Sequence, residues 1–159
     1  MHIAKGGSGL EAPKCYRCTQ MNQCFRTDVL VELHVPDFGP VLEFYSLLGF
    51  EEAYREENYL VLRRGDSVLN FYGGSEEVYA HSYFSRFDER TKKGFGVEIV
   101  IFEPEVTRLY ERVKSTLKVV TPLKLRPWGR KDFRVEDPFG YYLRVSEPYN
   151  NVVRGELRT

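Results

Sequence analysis

The chain repeats one order of secondary structure twice, and this internal duplication constrains its fold more than any local motif. A β-rich segment at residues 29–35 precedes a helical stretch with one apolar stripe, and three short strand-like segments follow. A second strand-like segment at 96–102 precedes an amphipathic helix over 103–117, again followed by three strands. Tyr45 and Tyr110 occupy equivalent places in the two helices. We therefore predict an α+β fold built from two βαβββ modules.

The module boundaries follow from the turn signals and from one long connection. We place the modules at about 28–74 and 95–148, inside a single domain of residues 28–150. Pro40 suits the first turn of the first helix, and Gly49 suits its end. The stretch 75–94 between the modules is polar, with scattered aromatic residues. A connection of this length is either functional or mobile.

Composition argues against several classes of partner. The 159 residues include 23 basic and 23 acidic side chains, so no overall field marks a nucleic acid or a membrane as the partner. No stretch approaches the roughly 20 apolar residues that a membrane-spanning helix needs. No apolar signal region follows the N-terminus, so we expect a cytoplasmic protein. Aromatic residues make up 14% of the chain, which hints at a recognition surface.

The two ends of the chain differ from the repeat. Residues 1–27 contain a linker-like tract and all three cysteines, Cys15, Cys18 and Cys24. A C-x-x-C pair is able to bind zinc, but a structural zinc site needs four ligands and usually has a second pair. We therefore favour a flexible N-terminal extension with reduced thiols over a zinc site. Residues 151–159 are predicted to form a C-terminal tail.

Three motifs carry a resemblance to a known family. They are "FYSLLGF" after the first strand, "VEIVIFEPEVTRLYERV" at the start of the second half, and "PWGRKDFRVEDPFGYYLRV" near the end. With the repeat, they resemble the vicinal oxygen chelate superfamily, which contains glyoxalase, bleomycin resistance and extradiol dioxygenase proteins. The resemblance covers roughly residues 28–148 and is strongest to the bleomycin-resistance branch. It implies curved, partly open mixed sheets around a groove, with the helices outside.

The resemblance also allows a test for a metal site. Metal-dependent members of the superfamily hold the metal with His or Glu on the first and last strands of each module. The residues nearest those places are Leu30, Asn70, Glu98 and Arg144. Strand alternation puts Glu98, Val100 and Phe102 on one face. Because leucine cannot bind a metal and arginine repels one, only Glu98 is a suitable ligand, and we predict neither metal nor cofactor.

The same resemblance implies that bleomycin-type ligands lie in grooves at a homodimer interface, stacked on aromatic side chains. Pro127 and Gly129 hold Trp128, the only tryptophan, where the mouth of the groove is expected. Trp128 and Phe133 could instead be structural residues that close the end of the barrel. Tyr59 matches an aromatic residue of the groove in that branch. The predicted ligand-binding residues are Trp128, Tyr59, Tyr72, Glu98, Phe102, Phe133, Arg144, Asn70, Glu32 and His34.

Other polar residues give weaker signals. His34 and Glu32 share a strand face and could form an acid–base or metal-binding pair, but we favour a hydrogen-bonded histidine near the sheet edge. His81 is expected at the surface without a partner. The basic run of Lys124, Arg126, Arg130, Lys131 and Arg134 is expected to be solvated, because strand alternation divides it between two faces. The sequence contains no G-x-S-x-G elbow and no phosphate-binding loop, so no catalytic residue is predicted.

Three classes of function stay open on these grounds. The favoured one is a metal-free protein that binds an aromatic, antibiotic-like molecule in a dimer groove. The alternatives are a metal-dependent lyase, isomerase or dioxygenase of the same superfamily, and a structural or regulatory module with a vestigial groove. Glu98, Glu32, Glu76 and Glu77 favour a cationic ligand, whereas Arg144 favours an anionic or zwitterionic one.

Overall fold

The computed structural model describes residues 29–87 and 91–149, and every structural statement below concerns these residues. The chain divides after Leu30, and all of the helices and strands given below lie in the second unit, which begins at Val31. The predicted N-terminal extension with its three cysteines and the predicted C-terminal tail lie outside the described residues. Within the described part of the chain, no helix is both long and apolar enough to cross a membrane.

The first module forms a mixed four-stranded sheet with one helix. Its elements are β1 (Glu32–Val35), α1 (Phe38–Leu47), β2 (Glu51–Glu56), β3 (Tyr59–Arg64) and β4 (Ser67–Gly73). The strand order across this first sheet is β1-β4-β3-β2, with β1 parallel to β4 and the other pairs antiparallel. A 3₁₀ helix at Glu76–Ala80 and a second one at Phe84–Arg86 follow in the connection between the modules.

The second module repeats this arrangement. Its elements are β5 (Glu98–Phe102), α2 (Val106–Val113), β6 (Lys118–Leu125), β7 (Lys131–Glu136) and β8 (Tyr142–Ser146). The order across this second sheet is β5-β8-β7-β6, and again the first and last strands of the module are parallel. The predicted α+β fold of two βαβββ modules with mixed sheets is therefore confirmed.

Local sequence explains where α1 begins and ends. The carboxylate of Asp37 accepts a hydrogen bond of 2.8 Å from the Gly39 N–H, which satisfies one of the free donors at the start of the helix. Pro40 follows in the first turn, where the missing N–H is not needed. After Leu48 the chain reverses at Gly49, whose φ of 86° lies in the left-handed region that glycine adopts without strain.

One hydrophobic core serves both modules. It contains the buried face of each helix and one face of each sheet, so the other face of each sheet has no helix over it. The largest fully buried side chains include Tyr45, Phe71, Phe133, Leu60 and Leu143, which come from both modules. Because neither helix–sheet layer alone encloses all of these side chains, the two halves of the repeat stabilise each other.

Hydrogen bonds between the modules add to this shared core. The Tyr45 hydroxyl on α1 donates to Asp137 Oδ2 at 3.3 Å, and Oδ1 of the same carboxylate accepts from the backbone N–H groups of Phe139 and Tyr141. The Tyr141 hydroxyl donates to the His34 carbonyl of β1 at 3.1 Å, and Arg64 donates to the Phe102 carbonyl at 2.7 Å. The D-P-x-G motif thus contributes a buried carboxylate that joins the second module to α1.

Three element boundaries differ from the sequence-based expectation. The first strand begins at Glu32 rather than at residue 29, and Val29, Leu30 and Val31 are 77%, 50% and 64% exposed. The physical reason is that β1 is an edge strand whose only neighbour is β4, and their register begins at Glu32 and Asn70. Helix α2 is shorter than the predicted 103–117 because turns replace helix at both of its ends. The long polar connection, for which no secondary structure was predicted, contains two 3₁₀ helices.

The Tyr45–Asp137 hydrogen bond leads to a stability prediction. We expect Tyr45→Phe to lower the free energy of unfolding by about 1–3 kcal/mol, because a buried carboxylate oxygen loses its donor. Tyr110→Phe is the matched control from the second repeat; Tyr110 is half-buried, so water replaces its hydroxyl, and the loss stays below about 0.5 kcal/mol. Urea denaturation of both variants measures the difference. Equal losses would contradict a special role for the Tyr45 hydroxyl.

Candidate functional site

The uncovered face of the first sheet carries aromatic and acidic side chains. The register of β1, β4 and β3 pairs Glu32 with Asn70, and it pairs Tyr72 with both His34 and Tyr59. Paired residues project to the same side of a sheet, so these five residues share one face, opposite the core-facing Leu33, Leu60 and Phe71. We call this surface the first open face. Val61 and Arg63 on β3 also belong to it.

His34 joins the first open face to the 3₁₀ segment of residues 76–86. Its imidazole ring lies 5.2 Å from the ring of Tyr72, 5.5 Å from that of His81 and 4.6 Å from that of Phe84, measured between ring centroids. Burial lowers the pKa of His34 below its usual range, and nearby His81 lowers it further. Within the described residues, His34 Nδ1 has no hydrogen-bond partner. His34 is therefore packed among rings at the sheet edge, and His81 has a partner that the sequence did not predict.

The uncovered face of the second sheet carries a network of ion pairs. The register places Glu98 beside Tyr142, Arg134 beside Arg144, and Asp132 beside Ser146. The Glu98 carboxylate lies 3.2 Å from Nη2 of Arg144 and 3.8 Å from Nε of Arg134. We call this surface, which also includes Val100, Phe102 and Glu136, the second open face. The predicted common face of Glu98, Val100 and Phe102 agrees with this register.

A buried ion pair fixes the turn that carries Trp128. Nε of Arg126 donates to Asp132 Oδ1 at 2.6 Å, and both side chains are almost completely buried. The turn itself is closed by the Gly129 N–H donating to the Arg126 carbonyl at 2.9 Å. Trp128 lies at the tip of this turn and is 49% exposed. Its indole is therefore far from fully packed and presents a large apolar surface to solvent.

Each open face has a cavity at one edge. A cavity of about 400 Å³ lies beside the first open face and is lined by residues that include Asn58, Tyr72, Ser75, Val78 and His81. A second cavity, of about 390 Å³, lies beside the second open face and is lined by residues that include Phe95, Val97, Glu98, Glu136 and Tyr142. Both volumes are within the range of sites for small ligands.

The ten predicted ligand-binding residues separate into groups. The first open face contains Glu32, His34, Tyr59, Asn70 and Tyr72, and the second contains Glu98, Phe102 and Arg144. Trp128 lies at the tip of the β6–β7 turn, in neither group. Phe133 is fully buried and packs its ring 5.2 Å from that of Tyr110, so it belongs to the core and does not line a groove. The reason is alternation along β7, where Asp132 and Arg134 occupy the open face instead.

The basic run near the C-terminus also needs a correction. Arg126 is buried against Asp132, and Arg134 is mostly buried on the second open face, so neither is solvated as the sequence pattern suggested. For Arg134, the alternation of side chains along β7 and β8 is the signal that could have shown this. Arg134 lies two residues from Asp132, and its cross-strand partner Arg144 lies two residues from Tyr142, so all four project to the same face. A count of charges along the chain does not reveal the burial of Arg126 and Arg134, because their acidic partners, Asp132 and Glu98, lie on other strands.

The donor set does not fit a metal ion. Of the four residues at the places expected for ligands, Glu98 alone has a suitable side chain, and Arg144 holds its carboxylate in an ion pair. Among residues 29–87 and 91–149, no three His, Cys, Asp or Glu side chains are grouped as a metal site requires. A guanidinium beside the carboxylate would also repel an incoming cation.

Comparisons with known proteins match the chain over most of the repeat. A family model for the glyoxalase/bleomycin resistance protein/dioxygenase superfamily matches residues 28–145. A bleomycin resistance protein from Klebsiella pneumoniae is 28% identical over an alignment of 117 residues, and the match covers 69% of this chain and 82% of that protein.

Solved structures share the fold. A protein of unknown function from Agrobacterium tumefaciens has a TM-score of 0.61 and 19% identity, over 80% of this chain and 97% of that chain. A bleomycin-binding protein crystallised in complex with bleomycin has a TM-score of 0.53 and 22% identity, over 78% of this chain and 100% of that chain. At these identities the likeness shows the fold alone.

The lowered pKa of His34 predicts a pH dependence of stability. In the unfolded chain this histidine has its ordinary pKa of about 6.5, whereas in the folded chain burial lowers the pKa, so protonation requires a lower pH. The free energy of unfolding should therefore fall as pH drops below about 6.5, since the unfolded state binds the proton more readily. Denaturation of the native protein and of His34→Gln between pH 5 and 8 isolates this contribution. Parallel curves for the two proteins would contradict it.

Proposed function

The chain belongs to the glyoxalase/bleomycin resistance protein/dioxygenase superfamily, and from this premise we propose that it is a metal-free binding protein. It sequesters an aromatic, antibiotic-like small molecule in a groove, as proteins of the bleomycin-resistance type do. The observation that carries the proposal is the pair of open faces, which offer aromatic rings and charged groups for recognition. The relatives named as bleomycin resistance and bleomycin-binding proteins support the same class of ligand.

Binding is favoured over catalysis because the carboxylates of the second open face are already paired with basic side chains. A general acid or base needs a free functional group within reach of a substrate. Glu98 is paired with Arg144 and lies near Arg134, and Asp132 is buried against Arg126. Such pairs recognise and orient a ligand rather than exchange protons with it.

The first open face suits the aromatic part of the ligand. Tyr59 and Tyr72 lie directly across from each other on adjacent strands, so their rings offer two neighbouring apolar surfaces. Glu32 lies on the same face and adds negative charge. Two tyrosines on the same face as a carboxylate favour an aromatic or cationic group, since both ring faces and carboxylates attract positive charge.

We propose further that a second copy of this chain closes the groove. Each sheet has one face without a helix, and several large apolar side chains are exposed at strand ends and turns: Val31, Val68, Phe95, Val97, Leu125 and Trp128. Exposed apolar side chains in such number are typical of an interaction surface. The first open face carries Glu32, Glu56 and Arg63, and the second carries Glu98, Arg134 and Arg144, so each face offers charges of both signs to another copy. A two-fold homodimer would contain two equivalent sites.

The alternative function is a metal-dependent lyase, isomerase or dioxygenase of the same superfamily. Elemental analysis of the purified protein distinguishes the two. About one Zn, Ni, Fe or Mn per chain, lost in Glu98→Gln or His34→Gln, would favour the enzyme. Metal lost only on substitution of Cys15 or Cys18 would instead indicate a separate site in the N-terminal segment.

The proposal makes a prediction for Trp128. Bleomycin and a panel of aromatic dyes are screened by thermal shift, and a binder should quench or shift the fluorescence of this single tryptophan. Trp128→Ala should weaken binding by about 1–3 kcal/mol, which is typical of a lost stacking residue. Trp128→Phe should keep much of the affinity because a flat ring remains. Unchanged affinity in a less stable Trp128→Ala protein would show that the indole stabilises the fold and does not contact the ligand.

A second prediction concerns assembly. We expect light scattering at micromolar concentration to give twice the mass of the chain. Val61→Lys should raise the dimer dissociation constant at least about tenfold, because it places a charge on the sheet face that the partner is proposed to cover. Thr107→Lys, on the exposed side of α2, is the matched control and should leave the dimer intact. A monomeric native protein, or an equal effect of both substitutions, would contradict an interface on the open faces.

A further inference from the structure

Two arginines on the second open face lie directly opposite each other. Arg134 of β7 and Arg144 of β8 are partners in the antiparallel register, and like charges in this position repel. Glu98 on β5 is the only carboxylate of the described residues within ion-pair distance of both, at 3.8 Å from Nε of Arg134 and 3.2 Å from Nη2 of Arg144. One carboxylate is thus shared between two guanidinium groups.

The Nε of Arg134 is buried and has no hydrogen-bond acceptor among the described residues. The side chain is 22% exposed, and the carboxylate oxygens within ion-pair distance of Nε are Glu98 Oε1 at 3.8 Å and Asp132 Oδ1 at 4.0 Å. Both distances are too long for a hydrogen bond. Leaving a buried N–H donor of a guanidinium without an acceptor is unfavourable. An acceptor is therefore missing at this place in the described part of the chain.

Arg144 has spare donors as well. Its side chain is 18% exposed, and its Nη1 donates to the Tyr149 hydroxyl at 3.0 Å. Its Nε has no acceptor among the described residues. The neighbouring Asp132 does not supply one: its Oδ1 accepts from Arg126, its Oδ2 has no partner among the described residues, and its only other ion pair is the 4.0 Å contact with Arg134. The three guanidinium groups of Arg126, Arg134 and Arg144 therefore share the two carboxylates of Glu98 and Asp132, and this network has an excess of positive charge.

We propose that Arg134 and Arg144 form a subsite for an anionic group of the ligand, a carboxylate or a phosphate. Oxygen anions of this shape accept paired N–H bonds from guanidinium groups, and charge-assisted bonds of this kind are the strong ones. The anion would supply the missing acceptor and offset the repulsion between the two arginines. The inference rests on the proposed function only in that it takes the second open face as the ligand-binding side. It specifies a ligand with an acidic group, not one that is purely cationic.

Three naphthalene probes of equal size test the charge preference. The association constants of 2-naphthoate, 2-naphthylmethanol and 2-naphthylmethylamine are measured by calorimetry on the full-length protein at one ionic strength. We expect naphthoate to bind about tenfold more tightly than the neutral alcohol, since charge-assisted hydrogen bonds add to stacking. Equal binding of the three probes would overturn the anion subsite and leave the aromatic groove supported.

Four variants separate recognition from structure. Arg134→Gln and Arg144→Gln should each remove most of the preference for naphthoate and change the binding of the alcohol less than about twofold. Glu98→Gln should raise the affinity for naphthoate, because its carboxylate competes for the same guanidinium groups. Arg108→Gln, at an exposed position on α2, is the matched control and should change neither affinity. Equal losses for all probes in the arginine variants would indicate a purely structural network.

Inorganic phosphate tests the subsite without the aromatic groove. Phosphate is added to the protein, and sodium chloride at equal ionic strength is the control. Phosphate should raise the melting temperature of the native protein more than that of Arg134→Gln. If phosphate has this effect while no naphthalene probe binds, the anion subsite stands and the proposed aromatic groove fails. If phosphate acts equally on both proteins and naphthoate is not preferred, the subsite is wrong.

Discussion

The buried carboxylate of Asp137 is the interaction on which the arrangement of the two modules depends. It accepts hydrogen bonds from the backbone N–H groups of Phe139 and Tyr141 and from the Tyr45 hydroxyl of the other module. Burial raises the pKa of Asp137, and these donors oppose that rise by favouring the charged form. Because a buried carboxylate is tolerated only with its partners in place, the β7–β8 turn and helix α1 must form together. The shared core then follows, since Tyr45 is itself one of its largest side chains.

The position of this turn decides which residues reach the second open face. Asp137 lies directly after β7, and Tyr141 lies directly before β8, so the turn sets the register between the two strands. In this register Arg134 and Arg144 share the open face, while Leu143 and Val145 enter the core. A slip of one residue would exchange the two sets. The positions of Arg134 and Arg144 therefore follow from this turn. The residues proposed for recognition are placed by the same hydrogen bonds that hold the modules together.

Much of the fold could be predicted from the sequence, because the repeat, the helical stripes and the turn residues are local patterns. Strand alternation also placed Glu98 and Phe102 on one face correctly. Phe133 is among the predicted ligand-binding residues, with a structural role as the alternative, and the parity of β7 directs its side chain into the core. The environments of Arg126 and Arg134 depend on partners, Asp132 and Glu98, that only strand pairing brings close. The contact between His34 and His81 depends on how a long connection folds back, which no local pattern specifies.

The two sheets share a topology but have diverged in chemistry, and this asymmetry bears on the ligand. The first open face combines Tyr59 and Tyr72 with Glu32, while the second holds Arg134 and Arg144 around Glu98. If both faces line one groove, a purely cationic ligand gains on the first and is repelled by the second. A purely anionic ligand is repelled by the first face and attracted by the second. Such repulsion costs more in a partly dry groove than in water, because the effective dielectric constant is lower there. A groove lined by both faces would therefore favour molecules that carry opposite charges at separate ends of an aromatic body, with the acidic end toward the arginines.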